Sequence, residues 1–84
     1  MLYSFRVEFE TDSETGDIVV SLPSLNHTAD SGEHVEEALE NLQELAVGFI
    51  EMLRERGDKI PESDPPGEGT FLFLEVDSPA SVQV

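Results

Sequence analysis

The stretch HVEEALENLQELAVGFIEMLRERG, residues 34–57, decides how the rest of the chain is read. Its apolar residues Val35, Ala38, Leu39, Leu42, Leu45, Ala46, Phe49, Ile50 and Leu53 recur at intervals of three and four, the spacing that gathers side chains on one face of an α-helix. Glutamates fill the first turns and Arg54 and Arg56 the last, so both ends complement the helix dipole. Gly57 then offers the left-handed conformation that commonly ends a helix. The start is chemically weaker: His34 stands where Ser or Thr would cap better, and Glu37 completes only half of a capping box. A helix of about six turns with one apolar face needs a surface to cover.

The flanking sequence supplies that surface. In LYSFRVEFE, residues 2–10, Tyr3, Phe5, Val7 and Phe9 alternate with Ser4, Arg6, Glu8 and Glu10, the period-two pattern of a half-buried strand. TDSETGD reverses the chain in a hairpin with Gly16 free to take positive φ, and DIVVSL returns as a second strand. Pro23 has no amide to donate to a ladder, so this strand ends near it. A short third strand is expected around Asn26–Asp30. After the helix, DKIPESDPPGEG reads as a loop. TFLFLEV then reads as a buried strand, with Phe71 and Phe73 on one face and Leu72, Leu74 and Val76 on the other. Residues 77–84, DSPASVQV, are expected to form a loose tail.

One domain over residues 1–84 follows, with a core of about 2–76, in α+β order βββαβ with one long helix packed on one face of the sheet. A helical crossover predicts that the last strand lies beside the first and parallel to it. A single helix leaves the opposite face bare, exposing Leu2, Val19 and one of the two apolar sets of the last strand. Such a face fits self-association as a dimer or tetramer, with Leu72 and Leu74 at the interface if they point away from the helix.

Charge bounds the function. Nineteen acidic residues against four basic ones give a formal net charge of -15, which repels phosphate backbones and favours encounter with a basic protein. Direct nucleic-acid binding is not expected. No basic leader followed by an apolar block and no membrane-length apolar run is present, so a soluble, cytoplasmic protein without membrane contact is expected. The chain has no cysteine, hence no disulfide or thiolate metal site.

Catalytic signatures are sparse. His27 and His34 lie seven positions apart with no HxH or HExxH spacing, and Ser21, Ser24 and Ser31 lack a GxSxG elbow. The histidines read as structural, His34 helping to cap the helix and His27 on a loop or edge strand. A divalent-metal nuclease would need carboxylates converging from several elements, for which Glu8, Glu40 and Glu75 are the candidates. In a chain this acidic, such a triple carries little information.

The order and spacing of Tyr3, Gly16, Pro23, Leu25, Gly32, Glu33, Val35, Glu36, Glu37, Ala38 and Pro61, unbroken from Pro23 to Ala38, resembles the HicB-like antitoxin domain. The resemblance covers roughly residues 3–76. Two positions depart from the family pattern: Asn26-His27 replaces a Pro-Gly, and His34 replaces a Thr. The resemblance implies a truncated ribonuclease H-like sheet without catalytic carboxylates. It implies a non-enzymatic, cofactor-free role in a toxin-antitoxin system, binding and neutralising a small basic HicA-type toxin that cleaves RNA. Many members continue into a DNA-binding domain, and a stand-alone domain is expected here. Asp30, Glu33, Glu36, Glu37 and Glu40 are the candidate partner-binding residues. The alternatives are an orphan oligomeric regulatory or structural subunit without a toxin and, from a different class, the metal nuclease.

Overall fold

The structure, a computed structural model, describes residues 1–76; the expected tail lies outside them. Four strands and one helix follow in the order β1 (Leu2–Thr11), β2 (Ile18–Leu22), β3 (Thr28–Gly32), α1 (Val35–Arg56) and β4 (Thr70–Glu75). The strands form one sheet in the order β3-β2-β1-β4, giving the expected α+β, βββαβ arrangement.

The direction of β4 corrects the sequence expectation. It runs antiparallel to β1, pairing Leu2 with Glu75 and Val7 with Thr70. The physical reason is the connection. A 22-residue helix is about 33 Å long, and segment 57–69, able to span roughly 40 Å, carries the chain back along the molecule before β4 begins. The crossover therefore contains two traverses, and the last strand enters from the opposite end.

Local chemistry explains each turn. At the β1–β2 hairpin Gly16 takes φ 80° and donates to Asp12 O at 2.8 Å, while Asp12 Oδ1 accepts the amides of Glu14 and Thr15. Between β2 and β3 two tight turns follow one another, closed by Leu25 N–H to Leu22 O and Thr28 N–H to Leu25 O, each 3.0 Å. Asn26 and His27, the centre of the second, have φ 52° and 54°. Left-handed conformation at both central residues is the mark of a type I′ turn, in which Asn is favoured and His is not. Because these two residues make the turn, β3 starts at Thr28 rather than Asn26. Helix α1 ends as expected: Gly57 (φ 76°) donates to Arg54 O and Asp58 to Leu53 O, the paired bonds of a Schellman motif.

The core lies between sheet and helix. Phe5, Val7, Val20, Leu22, Leu25, Leu74 and Val76 meet Ala38, Leu42, Ala46 and Ile50. The buried helix row is narrower than the sequence stripe, because Val35 and Leu45 are both 44 % exposed. Phe9, on the covered side of β1, lies past the covered part and is also half-exposed. Leu74 is fully buried and Leu72 packs on the same core, so the condition that would place them at an oligomer interface is not met. Phe71 and Phe73 occupy the other face, where Phe73 and Leu2 are 61 % and 67 % exposed. Among the described residues no helix is long and apolar enough to cross a membrane.

Candidate functional site

The acidic residues singled out in the sequence sit where the sheet hands over to the helix. Asp30 is half-buried on β3, its Oδ1 accepting the Ser31 amide at 2.8 Å, whereas Glu33, Glu36, Glu37 and Glu40 are exposed. Glu36, Glu37 and Glu40 line one open depression together with His34 and Val35. Asp30 and Glu33 are not part of its lining. Beyond Glu40 the surface continues through Gln43, Glu44, Val47, Gly48 and Glu51. Glu44 and Glu51 were missed by the sequence reading, although their spacing from Glu40 places them on the same side of the helix. The result is an acidic ridge along most of α1.

The helix start is held by backbone rather than by a cap side chain. His34 occupies the N-cap position with extended backbone and makes no side-chain cap bond, so the expectation that it caps the helix is corrected. Glu37 Oε1 instead accepts the Glu33 amide at 3.0 Å, reaching one residue further back than in a capping box. His27 sits exposed in the β2–β3 turn. The two histidines occupy different parts of the loop region, and among the described residues neither is hydrogen-bonded to a serine: Ser24 Oγ donates to Asp64, and Ser31 engages Asp30 and Asn41 through its backbone.

Asp64 is the polar centre that the sequence did not reveal. Its N–H donates to Ser4 O at 2.9 Å, its Oδ2 accepts the Arg6 amide at 2.8 Å, and its Oδ1 accepts the Ser24 hydroxyl at 2.6 Å. Ser63 Oγ takes the Ser4 amide. The register explains why these partners are needed. Glu8 and Glu10 face β2, but β2 ends at Leu22, so the same edge of β1 at Ser4 and Arg6 has no strand beside it. Asp64 completes the ladder there. The Ser24 hydroxyl foremost, then the Arg6 amide, hold its carboxyl below the usual 3.8 against the opposing effect of burial, with the Arg6 charge adding least. A carboxyl lowered by folding stabilises the fold at pH above its unfolded value and loses that contribution as pH falls through the folded one. Asp64→Ala is expected to cost about 1–2 kcal/mol at pH 7, at the low end for charged hydrogen bonds because the site is partly solvated. The gap between variant and wild type in urea melts should narrow below pH 3.8; a gap independent of pH down to acid unfolding would contradict the ionic clasp.

The carboxylates on which a metal nuclease would rest are not brought together. Glu8 and Glu75 lie on strand positions facing away from the helix, and Glu75 pairs with Leu2, six residues along β1 from Glu8, roughly 20 Å. Glu40 is on the other side of the sheet. Among the described residues no group of three or more His, Asp and Glu is placed to hold a metal ion.

No family model matches the chain. No curated protein sequence matches it either. Solved structures do. The N-terminal domain of the antitoxin HicB from Burkholderia pseudomallei superposes with TM-score 0.64 at 19 % identity, over 93 % of this chain and 100 % of that one. A chain of the HicA3 and HicB3 toxin-antitoxin complex superposes with TM-score 0.57 at 21 % identity and the same coverage. The α+β architecture described above, a four-stranded antiparallel sheet with one long helix, is the fold of the HicB N-terminal domain.

Proposed function

We infer that this HicB-like domain is a non-enzymatic antitoxin-type protein that binds a small, basic, RNA-cleaving partner of the HicA kind. The observation that carries the reading is the acidic ridge of α1, with Glu36, Glu37, Glu40, Glu44 and Glu51 all exposed, on a fold shared with a HicB antitoxin. A basic RNA-binding surface and this ridge attract at long range. Once seated, the carboxylates occupy the places phosphates would take, so binding and inhibition are the same event. No bond is made or broken and no cofactor is required.

The contact residues proposed are Asp30, Glu33, Glu36, Glu37 and Glu40. The test begins with a small basic protein recovered from the native lysate on the immobilised chain at low salt and identified by mass. Its RNA cleavage is then measured with and without added chain. Replacing all five acids by alanine is expected to weaken the complex by about 5- to 5,000-fold, since exposed charge pairs contribute about 0.2–1 kcal/mol each. The salt dependence of binding should flatten with it. Unchanged affinity in the five-fold variant would remove the contact assignment, and undiminished RNA cleavage in the complex would remove the antitoxin reading.

A further inference from the structure

The two edges of the sheet are finished differently. At β3, which is five residues long, the Ser31 carbonyl takes a hydrogen bond from Asn41 Nδ2 of the helix at 2.9 Å. At β4 the register settles which groups are open. Val76 N–H bonds to Met1 O, and Tyr3, Phe5 and Val7 pair with Leu74, Leu72 and Thr70. In an antiparallel ladder alternate residues face alternate sides. Ser4 and Arg6 turn their amides to Ser63 and Asp64, so the odd positions of β1 bond to β4. The backbone groups of Phe71, Phe73 and Glu75 therefore point outward, and no hydrogen bond among the described residues reaches them.

Edges left open in monomers usually carry Lys, Pro or a bulge. The segment TFLFLE has none of these and only one charge. In a chain of net charge -15, it is where two copies meet with little repulsion. The side chains of Phe71 and Phe73 also lie on the uncovered face beside Leu2, Ser4 and Arg6.

We propose that a second copy of this chain pairs antiparallel along β4, about a two-fold axis through Phe73, joining two four-stranded sheets into one. Phe73 then faces the second copy's Phe73, and Phe71 faces the second copy's Glu75. Each of these pairs exchanges two backbone hydrogen bonds, which uses every open group of both edges. The register also matches charge. Arg6 lies opposite Phe71 within the chain, so one row across the joined sheet reads Arg6, Phe71, the second copy's Glu75, the second copy's Leu2. Each Glu75 gains a cation in its row, about 10 Å away by strand spacing and bridged by an aromatic ring. A register placing Glu75 against Glu75 has no such partner. This inference is independent of toxin binding and replaces Leu72 and Leu74 with the opposite face of the same strand.

Sedimentation of the full chain over a concentration series tests it. A mass of two chains is expected, with association strengthening as salt rises because the net charges are screened, opposite in sign to the proposed toxin complex. Phe73→Glu should be monomeric at the same concentrations with unchanged helical circular dichroism. Because the chain lacks cysteine, register is read directly. Phe73→Cys should form a disulfide with itself, the Cα separation of a bonded antiparallel pair being about 5.5 Å. Phe71→Cys and Glu75→Cys should cross-link when mixed and not separately. A monomeric wild type, a dimer that survives Phe73→Glu, or cross-links of Glu75→Cys only to itself would each overturn the proposal. The mixed cross-link keeps it falsifiable if Phe73→Glu fails to fold.

Discussion

Leu74→Glu is expected to unfold the chain outright rather than change how it associates. Leu74 has no exposed surface and belongs to the cluster that includes Phe5, Leu42 and Val76. A carboxylate there would lose its hydration with no cation or donor to replace it, a cost of several kcal/mol on top of the lost packing. The whole domain holds about 4–12 kcal/mol at typical values per residue. Far-ultraviolet circular dichroism at 25 °C should show the helix signal lost. Leu74→Ala, which only removes volume, should stay folded with about 2–5 kcal/mol less stability in urea melts. If Leu74→Glu melted like wild type, β4 would present its other face to the helix, and both the core and the proposed dimer edge would be wrong.

Gly32→Ala should be the most disruptive single-methyl change. Gly32 closes β3 opposite Ile18, two residues before the N-cap position, and a Cβ there would lie 2.7 Å from the Ala38 backbone nitrogen and 2.9 Å from Glu37 Oε1. Glu37 can swing away; the Ala38 nitrogen cannot, because its N–H is bonded to His34 O at 3.0 Å in the first helical turn. The strand and helix must separate by several tenths of an ångström, straining the joint at which β3 and α1 pack. A cost of about 2–3 kcal/mol is expected, near the upper end for overpacking, or a fall in Tm of roughly 10–20 °C for a domain of this size. Adding Glu37→Ala should not rescue it, which distinguishes a backbone collision from a side-chain one. Gly48→Ala is the matched control, since a Cβ there meets nothing within 4 Å. A Gly32→Ala variant as stable as wild type would mean that β3 and α1 do not pack closely at this joint.

Much of the fold was legible because it is local. The helix could be bounded from His34 to Arg56 by its stripe, its end charges and Gly57, and the structure gives Val35–Arg56. The hairpin strands could be read from alternation. The direction of β4 could not, since it depends on the path of segment 57–69, whose prolines and glycines mark a loop without stating where it goes. Nor could the side that Leu72 and Leu74 take, because TFLFLEV is apolar on both faces and only the register with β1 distinguishes them. Glu36, Glu37 and Glu40 were predictable as neighbours because helical spacing puts them together. Asp64 was not: its partners Ser4, Arg6 and Ser24 are 60, 58 and 40 positions away, and an acid in SDPP looks like any other polar loop residue.

The two ladders of β1 also assign different timescales to its two ends. Its pairing with β2 closes a hairpin at Asp12–Asp17, an event of microseconds, whereas pairing Leu2 with Glu75 must wait for the helix to form and nearly the whole chain to close into a loop. Asp64 and β4 both lie beyond the helix and both pair with β1. Segment 57–76 is thus expected to dock late, and exchange of the Tyr3 and Phe5 amides should then follow its undocking rather than opening of the hairpin. An outer edge of β4 is aligned only in molecules in which that docking is complete, so the proposed pairing of two copies would depend on it.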